Sequence, residues 1–272
     1  MKKNIYQPIK ARIEQVIPET SLIKTFVLKP ESEFSFAAGQ FVELSIPGAG
    51  EAPFTPSSDP AIKERIEVTI MKSGRITGML HAMQAGDTLG LRGPYGLGYP
   101  LDKFKGKDIL IIGGGVGLAP LRSLLFSLFS RIQDYKSVTL RYGARTPDDI
   151  VYKDALPQWG TKDKVNALVT VDVGSPQWQG NVGLVTTVLA DLGIDAPSVQ
   201  AIVCGPPIMM KFVNLKLLDN GIKPENIYLS MEKNMSCGLG KCGHCRVGKY
   251  HACKDGPVFT YEQLKDIHDI WD

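Results

Sequence analysis

Short apolar runs broken by glycine and proline fill the first hundred residues. SLIKTFVLKP (21–30), GQFVELSIPG (39–48) and RIEVTIMKSG (65–74) are rich in β-branched and aromatic residues. Bounded by turn formers, they read as strands, and their spacing predicts a small antiparallel barrel or sandwich. After residue 100 the pattern changes. DILII is a buried strand that runs into a glycine turn, and LAPLRSLLFSLFSRI repeats apolar positions at helical spacing, marking a helix with a core face. SVTLRYGAR, VNALVTVD and VQAIVCGPP are further strands, with helical stretches such as GLVTTVLADLG between them. That alternation predicts a parallel, doubly wound sheet. From about Ile227 glycine, cysteine and charge replace periodicity, as in a small module held by a metal. The expected organisation is a β barrel plus α/β: an antiparallel barrel over residues 1–100, a doubly wound domain over 101–227 and a cysteine module over 228–272.

Composition narrows the class without changing this layout. A chain of 272 residues, 43% hydrophobic and 22% charged, has material for two or three compact units. A formal charge of +3 is too small to argue for nucleic acid. Gln7, Pro8 and Lys10 interrupt the apolar stretch a signal peptide needs, and the run ILIIGGGVGLAP falls well short of the roughly 20 residues that span a bilayer. The expected compartment is the cytoplasm, where thiols stay reduced and clustered cysteines more often bind metal than form disulfides.

Four of the five cysteines stand within seventeen positions. Cys237, Cys242, Cys245 and Cys253 give C-x4-C-x2-C-x7-C. The first gaps match the plant-type [2Fe–2S] pattern, which is completed by a more distant cysteine. Gly238, Gly240 and Gly243 allow the tight backbone curl that aims N–H groups at sulfur. A structural zinc site also takes four cysteines, typically in paired C-x2–4-C knuckles. Four thiolates suffice for either metal, so His244 and His251 are not needed as ligands.

A second site lies at Gly113, Gly114, Gly115, Val116 and Gly117, which follow DILII and open the helix. A glycine turn between strand and helix N-terminus suits a phosphate, although Pro120 stands where a third motif glycine would fall. A glycine turn serving only close packing is the plainer alternative. At the end of the second strand the ribose-binding acid is missing. Arg145 stands there instead, facing either a 2′-phosphate or a surface carboxylate, so NAD and NADP both remain open.

Taken in order, GEAPFTPSS (50–58), LRGPYGLGYP (91–100), GGGVGLAP, CGPPIMM (204–210) and CGLGKCGHCRVG with CKDGPVF resemble the ferredoxin–NADP reductase superfamily. Within it they are most similar to electron-transfer subunits: the gamma subunits of cytosolic nickel–iron hydrogenases, the B subunit of anaerobic sulfite reductase and PyrK-type subunits of dihydroorotate dehydrogenase. The resemblance implies FAD in the barrel, NAD(P) on the second domain and a [2Fe–2S] cluster in the third. It places Pro53, Phe54 and Thr55 against the flavin, with Phe54 along the ring system and the Thr55 hydroxyl near its reactive nitrogen. Gly74, Arg75, Ile76 and Thr77 match the segment that binds flavin pyrophosphate, and Cys204, Gly205 and Pro206 border the nicotinamide. Thr55 and Cys204 are thus the catalytic candidates. One departure stands out: the arginine that commonly precedes the aromatic by two residues is here Ala52.

The implied activity is exchange of hydride between NAD(P)(H) and FAD, with single electrons passed through the cluster to or from a catalytic partner subunit of a larger redox complex. Two rivals are a free-standing reductase serving a ferredoxin or oxygenase, and a zinc-stapled, non-catalytic binding module.

Overall fold

The computed structural model describes residues 4–189 and 196–271. Six strands form the first sheet: β1 (Ile9–Pro18), β2 (Ile23–Pro30), β3 (Phe41–Ile46), β4 (Gly50–Phe54), β5 (Ile66–Met71) and β6 (Thr88–Tyr95). All neighbours are antiparallel in the order β4-β3-β6-β1-β2-β5. The edge strands β4 and β5 return into contact, so the sheet curls into a barrel. Alternation explains its core. Val42 and Leu44 of β3, Leu89 and Leu91 of β6, and Ala11 and Ile13 of β1 point inward with Phe26, Leu28, Ile66 and Val68, while the residues between them face outward. One helix, α1 (Arg75–Ala82), covers this barrel beside β4.

The second sheet contains β7 (Asp108–Gly114), β8 (Ser137–Ala144), β9 (Val165–Val171), β10 (Asn181–Val182), β11 (Val199–Cys204) and β12 (Ile227–Ser230), closed by β15 (Val258–Thr260). Its order is β10-β9-β8-β7-β11-β12-β15, parallel throughout except for β15. The chain steps from β7 outward through β8 and β9, then crosses back to place β11 on the other side of β7. That reversal is a topological switch point, where connections diverge to opposite faces and leave a crevice at the strands' carboxyl ends. Around the sheet stand α2 (Leu101–Phe104), α3 (Leu118–Phe129), α4 (Ala155–Gly160) and α5 (Pro207–Asp219). The expected core face of α3 is buried through Leu118, Leu121, Leu124, Leu125 and Leu128. GLVTTVLADLG differs from the expected helix: Val185–Leu189 is a 3-10 segment, and 190–195 lie outside the described residues.

The cysteine region carries a small hairpin, β13 (Arg246–Val247) and β14 (Tyr250–His251), followed by α6 (Ala252–Asp255) and α7 (Tyr261–Leu264). The expected cut at 227/228 falls inside β12, and β15 returns from the cysteine region to pair with it. Among the described residues no helix is long and apolar enough to cross a membrane.

Candidate redox site

Pro53 and Phe54 end β4, with Thr55 next in the chain, and all three are half-buried. Phe54 rests one side on the barrel core. Gly74 caps α1, and the Thr77 hydroxyl accepts the N–H groups of Ser73 (3.0 Å) and Gly74 (2.8 Å). The Thr77 side chain, expected to meet a phosphate, is therefore engaged in capping its own helix. The N–H groups of Arg75, Ile76 and Thr77 belong to the first turn, where the helix supplies no acceptor. Ile76 lies across Gly50, where a β-carbon would sit 3.4 Å from its side chain. The structure thus brings the start of α1 against β4. Arg75 is exposed.

The glycine turn and the Cys204 loop meet at the switch point. Gly113 and Gly114 finish β7, and Gly115–Gly117 form a 3-10 turn leading into α3. Gly115 has φ 53°, and its carbonyl accepts the Tyr142 hydroxyl at 3.2 Å. A β-carbon on Gly117 would fall 2.5 Å from the Cys204 carbonyl oxygen, and one on Gly114 would collide with Met209. Glycine is required here by close approach of two loops. Cys204 ends β11 and is buried. Burial, with Glu232 adding, pushes its thiol up to about 12 against a hydrogen bond from Ser230, so it stays a neutral wall at ordinary pH. Arg145 follows β8, exposed and without an ion pair among the described residues. The surface salt bridge that was its alternative role is not formed there.

The thiols stand in two pairs. Cys245 and Cys253 are 3.2 Å apart, and Cys237 is hydrogen-bonded to Cys242. The hairpin β13–β14 explains the x7 gap: it folds the chain back so that Ala252 donates to the Cys245 carbonyl at 2.9 Å. Gly238, Gly240 and Gly243 have φ of 70°, 70° and 81°, and the curl turns N–H groups onto sulfur. Leu239 and Lys241 donate to Cys237 at 3.3 Å each, and Gly240 donates to Cys253 at 3.0 Å. Burial alone would raise the Cys237 thiol, but N–H groups of Leu239, Cys242 and Lys241 outweigh it and bring it down to about 6. Cys253 is pushed up to about 12, by burial and then by the Cys245 thiol. Two thiol pairs under a canopy of N–H donors fit a two-iron cluster with one pair on each iron; a single zinc ion needs all four sulfurs around one point. His244 is exposed and hydrogen-bonded to Ser236 at 2.7 Å, while His251 is half-buried beside Asp255.

A group of residues beneath this loop escapes notice in the sequence. Glu43 of β3 is fully buried, and neither carboxylate oxygen has a hydrogen-bond partner among the described residues. Directly across the sheet lies Arg92 of β6, paired with Glu51 of β4 through Nε–Oε2 (2.9 Å) and Nη2–Oε1 (2.5 Å). Burial first, then Glu51, drives the Glu43 carboxyl up to about 8, against the pull of Arg92. A lone acid inside GQFVELSIPG and a lone arginine before GPYG were the available signals. Nothing in their spacing shows that strand register sets them face to face.

Residues 10–99 match an oxidoreductase FAD-binding domain, 111–215 an oxidoreductase NAD-binding domain, and 232–265 the iron–sulfur cluster binding domain of dihydroorotate dehydrogenase B. The gamma subunit of sulfhydrogenase 2 from Pyrococcus furiosus is 39% identical, across 95% of this chain and 96% of that one. A probable electron transfer subunit of dihydroorotate dehydrogenase B from Thermococcus kodakarensis is 35% identical, across 93% and 96%. The chain belongs to the family of these subunits. This family member is an oxidoreductase with FAD-binding, NAD-binding and iron–sulfur domains. Among solved structures, a chain of the NADH-dependent reduced ferredoxin–NADP oxidoreductase superposes with a TM-score of 0.77 at 26% identity, covering 97% of this chain and 91% of that one. The cytochrome b5 reductase domain of Ulva prolifera nitrate reductase shares the fold, with a TM-score of 0.69 at 20% identity over 81% of this chain and 95% of that one.

Proposed function

We propose that this chain is the electron-transfer subunit of a larger redox complex, exchanging hydride between NAD(P)(H) and FAD and relaying single electrons through a [2Fe–2S] cluster to or from a catalytic partner. The observation that carries this reading is the thiol loop, two cysteine pairs with N–H groups turned onto sulfur, seated on the face of a flavin-type barrel. Bound in their sites, the flavin accepts two electrons as a hydride and gives them up singly, and the cluster carries them one at a time.

The residues then have distinct tasks. Gly113–Gly117 and Cys204–Pro206 form the crevice for the dinucleotide, with close-set backbone and the start of α3 toward its phosphates. Cys204 keeps a neutral, buried thiol at the nicotinamide end, excluding water without competing as a nucleophile. Phe54 would lie along the flavin face, the Thr55 hydroxyl would serve its reactive edge, and the open N–H groups of Arg75, Ile76 and Thr77 would hold its pyrophosphate in place of an arginine at position 52. No general acid or base is required for hydride transfer; two rings must be held at reacting distance with water kept out. Cys237 with Cys242 and Cys245 with Cys253 would hold the cluster. The terminal chemistry, whether that of a hydrogenase, a sulfite reductase or a similar enzyme, belongs to the partner subunit, and the reduced thiols fit a cytoplasmic setting.

Anaerobic titration of the purified chain with NADH and then NADPH tests this, following flavin absorbance and cluster EPR together. Flavin bleaching followed by a reduced [2Fe–2S] signal is the expected result, and the nucleotide effective at lower concentration is the physiological one. Absence of flavin and iron after reconstitution, with zinc found instead, would overturn the reading.

A further inference from the structure

Arg92 is nearly fully buried, its side chain 4% exposed, and it reaches two parts of the molecule that electron transfer must connect. On one side its Nε and Nη2 grip Glu51 with both carboxylate oxygens engaged. Glu51 belongs to β4, the strand that ends in Pro53 and Phe54. On the other side Nη1 donates to the Tyr95 hydroxyl at 2.9 Å and, over a longer 3.5 Å, to the carbonyl of Cys237. Tyr95 carries the contact further. Its hydroxyl donates to the Ile5 carbonyl at 3.0 Å, and its ring lies so close to Gly238 that a β-carbon there would be 3.1 Å away. One guanidinium therefore ties the flavin strand to the first cysteine of the thiol loop, directly and through Tyr95.

A charge in this place does more than tie. Arg92 is the buried cation beside the Cys237 loop, and Glu51 is the anion that balances it. A positive charge close to a cluster favours the form with the added electron, and a negative charge disfavours it; low local polarity strengthens both effects. The planar fork also sets the geometry, which a lysine cannot reproduce.

Resting on the function proposed above, we propose that Arg92 is a positioning residue for the cluster: paired with Glu51, it fixes the Cys237 loop on the barrel face and sets the cluster's reduction potential. Glu51 is the counterweight in this arrangement.

The test is an EPR-monitored redox titration of the full chain, loaded with FAD and cluster, for the wild type, Arg92→Met, Arg92→Lys and Glu51→Gln, the last compared in a Glu43→Gln background so that the carboxyl facing Arg92 cannot ionise in its place. Arg92→Met should shift the cluster potential downward, and Glu51→Gln should shift it upward. Opposite signs from two halves of one ion pair are not produced by loosened packing. Arg92→Lys, keeping charge without the fork, should restore the potential while leaving faster amide hydrogen exchange at Leu239–Lys241, as Arg92→Met does. An unmoved potential in cluster-loaded Arg92→Met overturns the proposal. Should that variant fail to assemble, Glu51→Gln decides alone, and an unmoved or lowered potential overturns it equally. A wild-type chain that binds no [2Fe–2S] cluster defeats the parent reading, and this one with it, and is distinguished by iron analysis before any variant is compared.

Discussion

Glu43 shows how a single residue reports on burial. It sits between the core residues Val42 and Leu44, and its carboxyl is driven up to about 8, chiefly by burial. A carboxyl whose folded value lies above its unfolded value favours folding at low pH, and this contribution is lost as pH rises through the folded value. Denaturant unfolding of the cofactor-free chain should thus show stability falling between about pH 4.5 and about pH 8, and Glu43→Gln should flatten that fall. Equal slopes in the two proteins would mean that Glu43 is ionised and solvated. Gly238 makes a second residue-scale prediction. Its φ of 70° and the Tyr95 ring both oppose a side chain, so Gly238→Ala should cost about 1–3 kcal/mol and lower the iron bound per chain. The need for glycine here was legible from the cysteine spacing. The roles of Glu43 and Arg92 were not, because they arise from strand register, which pairs residues 49 positions apart.

Among the elements, those with a strong local pattern were the ones the sequence revealed. β7, its glycine turn and α3 follow from an apolar run, a cluster of glycines and a helical repeat, all within 25 residues. β2, β3 and β5 were equally plain, whereas β15 was hidden: three residues after the last cysteine complete a sheet begun 150 positions earlier. Such long-range pairing leaves no periodic trace. The switch-point crevice combines both cases, since each loop is readable alone but their contact is not. Gly117 lies at that contact with ordinary helical φ, so its requirement comes from the Cys204 carbonyl and not from backbone strain. Gly117→Ala should force the loops apart at an overpacking cost of about 1–3 kcal/mol. If that cost falls on the bound form, dinucleotide affinity measured by flavin reduction drops about 5- to 150-fold, with cluster content unchanged. Undiminished affinity would show that the dinucleotide does not use this crevice.

At the scale of the whole molecule, the barrel and the nucleotide sheet meet across a polar seam. Thr69 of the barrel bonds Thr25 (2.8 Å), Ser57 (3.0 Å) and the Tyr152 hydroxyl (2.6 Å), and Glu19 accepts the Tyr152 N–H at 2.9 Å. Arg122 of α3 pairs with Glu67 of β5, donates to the Ser57 carbonyl at 3.3 Å and lies over the Tyr152 ring at 4.6 Å. Directional bonds of this kind fix orientation as well as distance, which apolar contact alone does not do. That is what hydride transfer asks of two domains that each hold one of the reacting rings. Arg122→Met removes the cation and leaves Glu67, only 18% exposed, without its partner. The expected cost is about 1.5–3 kcal/mol. Its location matters more than its size: calorimetry of the variant should resolve separate barrel and nucleotide-domain transitions where the wild type shows one. Flavin reduction by NAD(P)H should slow more than dinucleotide binding weakens, because each domain keeps its own site while their mutual alignment loosens. A single transition with an unchanged reduction rate would place the alignment elsewhere, in the contacts that Leu97 of the barrel side makes with Gly256 and Pro257 beyond the cysteine loop.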